Sequence, residues 1–169
     1  MFVQITYNSC ARARITDQDI AEITARSLPN NLAKGLTSYM YYDDWRFLHI
    51  LEGRPAQVAH TMKQIIDSPL HHSVKVRLMN RNHARDFQGW HFGTVAATDP
   101  ELCRILKNMG FRDLFQANVL DAIKVLKRTA GRKYRKMNSL EKQALSDPRR
   151  SSIPKSKPNL TDEMLGLRG

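Results

Sequence analysis

From Trp45 to Glu52 the chain is an apolar run, closed by Gly53-Arg54-Pro55 and followed by a helix-like pattern. A run stopped by Gly and Pro in this way reads as the central strand of a sheet. Period-2 alternation places Trp45, Phe47, His49 and Leu51 on one face and Arg46, Leu48, Ile50 and Glu52 on the other. His49 therefore belongs to an apolar row. Imidazole is costly to bury without partners, so such a histidine is hydrogen-bonded to a core polar group or to a ligand.

The flanking sequence supplies the rest of a sheet. Phe2 to Ser9 alternates as a half-buried strand, with Val3, Ile5 and Tyr7 on one face. Thr16 and Asp19 resemble a capping box, and the following spacing predicts a helix over about 17–28, broken by Pro29-Asn30-Asn31. Gly35 to Tyr42 is rich in strand formers, and Asp43-Asp44 reads as the two-residue turn of a hairpin into the central strand. Pro55 opens a helix with an apolar stripe of Val58, Ala59, Met62, Ile65 and Ile66, ended by Ser68-Pro69. Two more strands follow, around Val74, Val76 and Leu78 and over Trp90 to Val95. The expected fold class is therefore α+β: a ferredoxin-like β-α-β-β-α-β-β sheet with two helices on one face, plus C-terminal helices.

Those C-terminal helices begin at Asp99-Pro100 and carry stripes of Leu102, Ile105 and Leu106, then Val119, Ile123 and Leu126, with Gly110 as a C-cap between them. They are expected to cover the open face of the sheet or to mediate self-association. The expected division is 1–96 for the sheet domain, 97–130 for these helices and 131–169 for a basic, largely disordered tail.

The net charge of +11 is concentrated there. Residues 1–96 hold eleven Lys/Arg against eight Asp/Glu, whereas 97–169 hold sixteen against eight. A basic tail suits nucleic acid, acidic surfaces or simple solvation. The segment 127–157 has Tyr134 as its one aromatic and no recognised nucleic-acid motif, which weighs against nucleic acid. No apolar run approaches the ~20 residues of a membrane helix, no signal-peptide pattern opens the chain, and a cytoplasmic location is expected. Cys10 and Cys103 make no disulfide framework. His71 and His72 are adjacent on a strand and point opposite ways, so no metal site is expected. Neither a nucleophile with a neighbouring base nor a glycine-rich phosphate loop is present, so no enzymatic activity is expected.

Several motifs taken together are more specific than any of these patterns. They are Tyr7-Asn8-Ser9 in the first strand, Asn31 before Gly35-Leu36-Thr37, Leu51-Glu52-Gly53 closing the central strand, His71 three residues before Val74, and Arg85-Asp86-Phe87-Gln88-Gly89-Trp90. On these, residues 2–96 resemble the BLUF domain, a flavin-based blue-light sensor. The resemblance implies FAD with its isoalloxazine ring between the two helices, and a tyrosine, a glutamine and an asparagine hydrogen-bonded around its polar edge. By position, Tyr7 is the tyrosine and Asn31 the asparagine, while His49 stands in the place of the glutamine. Ser9, His71 and Trp90 complete the implied cofactor-binding set. Each has a structural reading beside this one: Tyr7 as a core-edge phenol, Asn31 as a helix terminator, Trp90 as core packing.

The histidine changes the chemistry that the resemblance implies. A primary amide presents donor and acceptor on one end and can exchange them by rotation or tautomerisation, the rearrangement on which light sensing in the family depends. Imidazole offers its two nitrogens on opposite sides of a ring and cannot reproduce that exchange, though its protonation introduces a pH dependence. Ser38 replaces a usual glycine, and Ser68-Pro69-Leu70 replaces acidic and arginine residues that contact the ribityl and phosphate part of the cofactor in the family. Losing a bidentate arginine forfeits about 1.5–3 kcal/mol, roughly ten- to a hundredfold in affinity. Two functions follow as expectations. One is a photoreceptor in signal transduction, with an altered or lost photocycle, acting on a regulatory protein partner, with homo-oligomerisation through the C-terminal helices left open. The other keeps the fold as a flavin-free, light-independent protein-interaction module.

Overall fold

The computed structural model describes the backbone of residues 1–146 and the side chains of residues 1–139. The elements are β1 (Phe2–Ala11), α1 (Asp17–Ala33), β2 (Thr37–Tyr42), β3 (Arg46–Gly53), α2 (Pro55–Ile66), β4 (His71–Asn82), β5 (Gly93–Ala96), α3 (Pro100–Asn108) and α4 (Val119–Ser146). The five strands form one sheet in the order β4-β1-β3-β2-β5, so the Trp45–Glu52 run lies at its centre. Its neighbours are antiparallel except for the parallel pair of β2 and β5. Met1–Tyr134 form one folded unit, and Arg135–Gly169 a second whose described part is the remainder of α4.

Being central, β3 is covered on both sides, and its alternation sorts the core. Phe47 and Leu51 pack with Ile20 of α1 and with Val58 and Met62 of α2. Leu48 and Ile50 face the other way and join Tyr39, Tyr41 and Val95 against Leu102, Ile105 and Leu106 of α3 and Ile123 and Leu126 of α4. Each fully buried aliphatic contributes roughly 1.5–3 kcal/mol, so this second layer is a large part of the stability. Glu52, on that same face and 1% exposed, accepts from Gln4 Nε2 (2.8 Å), the Asp86 amide (2.8 Å), Thr37 Oγ1 (2.9 Å) and the Phe87 amide (3.0 Å). Four donors satisfy a carboxyl that would otherwise be prohibitive to bury. At the start of β5, Gly93 leaves room where a Cβ would lie 2.5 Å from the Tyr39 ring and 2.7 Å from Trp90.

Several boundaries differ from the expectations. The Thr16–Asp19 capping box is present, but α1 runs through Pro29 to Ala33. Pro29 and Ala25, whose carbonyl loses its partner, are both exposed, so water can serve that carbonyl. The hairpin connection is Asp43-Asp44-Trp45 and not two residues. Asp43 Oδ1 accepts from the amides of Trp45 (2.9 Å) and Arg46 (2.7 Å), which leaves Trp45 outside the strand and 53% exposed. Strand β5 begins at Gly93, since Trp90 to Phe92 are held by other contacts described below. Helix α4 continues to Ser146, through residues assigned by composition to the tail, because Lys and Arg are good helix formers wherever a solvated face is available. The rest of the tail expected to be largely disordered, residues 147–169, lies outside the described residues.

Ending the chain at Ala97 would uncover Tyr39, Tyr41, Leu48 and Ile50. Such a truncated protein is expected to aggregate or to melt well below the full chain in thermal denaturation followed by circular dichroism. Unchanged melting of a soluble 1–97 fragment would contradict this packing.

Candidate functional site

Antiparallel register sets Tyr7 of β1 and Met40 of β2 on either side of His49, so three strands present these side chains to one place beneath α1 and α2. Tyr7 is 1% and His49 6% exposed, and the Tyr7 hydroxyl lies 2.7 Å from His49 Nδ1. Burial, helped by the charge of His71, lowers the His49 pKa to about 3, and burial raises the Tyr7 phenol well above its ordinary value. Both are neutral at pH 7. A neutral imidazole has one donor and one acceptor nitrogen. If Nδ1 carried the hydrogen, the buried Tyr7 hydroxyl hydrogen would have no acceptor. Tyr7 therefore donates to Nδ1, and the hydrogen of His49 is on Nε2. That Nε2 is buried and has no protein partner. Phe92 meets the imidazole edge-on with centroids 5.7 Å apart, which fixes the ring further.

Asn31, in the last turn of α1 and 5% exposed, donates through Nδ2 to the His91 carbonyl (2.7 Å) and to Ser38 Oγ (3.1 Å). Both amide hydrogens are spent on protein oxygens, which leaves Oδ1 as an acceptor. The His91 ring is held in turn by Nδ1–H donation to the Leu36 carbonyl at 2.9 Å, and the Ser38 amide donates to the Trp90 carbonyl at 2.8 Å. These bonds tie residues 90–92 to the end of α1 and the start of β2. His71 Nδ1 lies 3.0 Å from Ser9 Oγ, its ring meets Phe47 edge-on, and burial lowers its pKa.

Between α1 and α2 these groups line a cleft of about 260 Å³. That is near the lower end of the roughly 300–1,000 Å³ usual for small-molecule sites. Of the residues singled out in the sequence, Tyr7, Asn31, His49 and His71 line it. Ser9 supports His71 from behind. Trp90 lies on the opposite side of the sheet, edge-on to Tyr39 (5.3 Å) and to Tyr134 of α4 (6.3 Å), and only its backbone carbonyl takes part near the site. Met40, Thr61 and Phe92 also line the cleft and were not singled out. Thr61 Oγ1 is a second buried polar atom there without a partner. Strand parity in β2 is the signal that could have marked Met40, whereas Phe92 precedes β5 and no local pattern marks it.

The donor set fits the polar edge of a flavin. His49 Nε2–H offers a hydrogen where the ring has acceptors, Asn31 Oδ1 offers an acceptor where it has an N–H, and Tyr7 sets the orientation of the first. A family model described as sensors of blue light using FAD, BLUF, matches residues 2–93. Among solved structures, the photo-activated state of BlsA is similar at 22% identity and a TM-score of 0.66, covering 77% of this chain and 95% of that one. The BLUF protein BlrB in its dark state is similar at 24% identity and 0.64, covering 77% and 96%. Klebsiella pneumoniae BlrP1 with FMN and cyclic diGMP is similar at 22% and 0.56, but the match covers 63% of this chain and only 30% of that longer one. No curated protein matches the chain.

The burial of His49 has a consequence for stability. Its folded pKa of about 3 lies below the unfolded value near 6.5, so on acidification the unfolded chain takes up the proton first and stability falls from about pH 6.5 downward. The slope attributable to one such group is at most about 1.4 kcal/mol per pH unit. Urea denaturation between pH 7 and 5 should show this fall, and His49→Gln should flatten it, leaving the smaller part due to His71. Equal slopes in both proteins would contradict the buried neutral imidazole.

Proposed function

The chain belongs to the BLUF family, sensors of blue light using FAD, and on that premise we propose that it binds FAD between α1 and α2 as a regulatory module whose photocycle is altered or lost because His49 occupies the position of the family's glutamine. The observation that carries this reading is the partnerless His49 Nε2 at the floor of the cleft. A buried N–H without an acceptor costs about 1–3 kcal/mol, and a ring acceptor placed against it removes that cost. The flavin, when bound, supplies absorption of blue light. Tyr7 orients His49, His49 donates to the ring edge, Asn31 accepts from it, and Ile23, Ile65 and Phe92 exclude water around it.

In this reading the Tyr7–His49 pair holds the dark arrangement permanently. Reversing the donor direction would need the proton to move from Nε2 to Nδ1 while Tyr7 turns its own hydrogen away, and rotation of the ring by itself exchanges no roles. Signalling proceeds by contact with a protein partner. What supports a packing role for the basic helix, over nucleic-acid binding, is that three of its cations are turned to carboxylates of the folded unit: Lys127 to Asp86 (2.6 Å), Lys133 to Asp99 (2.8 Å) and Arg132 to Glu101.

The test is the visible absorption spectrum of the purified full chain, in the dark and after blue light. The expected protein is yellow, with flavin bands and without the family's reversible red shift. His49→Gln, with Tyr7 and Asn31 in place, should recover part of that shift. A full reversible shift in the unmodified protein would overturn the role given to His49. A colourless protein in both forms would leave the flavin-free interaction module.

A further inference from the structure

The groups that meet the ring do not account for the charge of the cleft. Its α1 wall presents Arg26, Asn30 and Lys34 at four-residue spacing, one row about 12 Å long at 1.5 Å per residue. Lys34 Nζ donates across the cleft to Gln64 Oε1 of α2 at 2.8 Å. Neither Arg26 nor Lys34 is among the ion-paired residues in the described part of the chain. No Asp or Glu lines the cleft. On the α2 side and the connection to β4 the lining is Thr61, Gln64, Ile65, Ser68, Leu70 and His71. Of these only His71 can become cationic, and burial opposes it. Positive charge thus comes from one wall alone, and no carboxylate among the lining residues offsets it.

We infer that Arg26 and Lys34 form an anion subsite on α1 that takes the phosphate-bearing tail of the ligand, so that the cleft selects phosphorylated flavins over riboflavin. The inference rests on the flavin reading and adds the part of the ligand that the ring contacts leave unspecified. Lys34 exchanges a neutral amide oxygen for a phosphate oxygen, the stronger partner for an ammonium, and Arg26 engages a phosphate in bidentate fashion.

The test is equilibrium titration of the full chain, purified without added flavin, with riboflavin, FMN and FAD, followed by flavin fluorescence. Calorimetry with inorganic pyrophosphate runs in parallel. In the unmodified protein FMN and FAD should bind about tenfold more tightly than riboflavin, an advantage that shrinks in high salt. The double variant Arg26→Gln with Lys34→Gln should lose that advantage while keeping its riboflavin affinity. Equal affinities for riboflavin and FMN in the unmodified protein, or an advantage that survives the double variant, would overturn the subsite and leave the flavin reading standing. If the double variant weakens all three flavins alike, the charge-conserving Arg26→Lys with Lys34→Arg decides. A retained preference for phosphate supports the subsite, and its loss overturns it. If no flavin binds, the flavin reading has failed, and pyrophosphate decides: binding abolished by the double variant supports the subsite, and no binding to the unmodified protein overturns it.

Discussion

A strand covered on both faces must pair every polar atom it carries. In β3 that constraint falls on two side chains, Glu52 and His49, which point to opposite sides of the sheet. Glu52 is answered by four donors, and through the amides of Asp86 and Phe87 it anchors the segment leading to β5. His49 is answered on one nitrogen only, by Tyr7. The rest of the structure is arranged around this difference. The α3 and α4 face is a closed core with its one carboxyl satisfied, while the α1 and α2 face is a cleft with an N–H left for something else.

The two faces are physically linked by the short stretch from Asp86 to Phe92. On one side Asp86 pairs with Lys127 of α4, and Trp90 packs on Tyr39 and Tyr134. On the other, the His91 carbonyl takes the Asn31 amide and Phe92 seats the imidazole. A group entering the cleft therefore touches residues whose chain neighbours already touch α4. That continuity is consistent with signalling by surface contact and requires no catalytic group in the chain.

Much of this was legible in the sequence. Alternation through Trp45–Glu52 was enough to assign the sides of Phe47, His49 and Leu51, and the capping box and Asp99-Pro100 marked where α1 and α3 begin. Convergence of Tyr7 and His49 was foreseen only from the family resemblance, because strand register is a long-range property that no local pattern encodes. Where local rules failed, tertiary contacts had overridden them. Pro29 was taken as a stop, yet the helix continues because Asn31 is pinned by Ser38 and the His91 carbonyl. Trp90 was grouped with the site by its motif, whereas its side chain turns to the other layer, where Gly93 leaves space beside it. The cations of α1 carry no sequence signal of a ligand. Only the fold shows that they face a cleft without a carboxylate.

Tyr7 fixes His49 as a neutral imidazole with its hydrogen on Nε2. Nitrogen-15 NMR of the histidine side chains, with the His49 signal assigned by its loss in His49→Gln, tests this directly. The expected spectrum has an unprotonated, hydrogen-bond-accepting Nδ1 and a protonated Nε2, unchanged from pH 7 to pH 5. A signal titrating near pH 6.5, or one with the hydrogen on Nδ1, would contradict it.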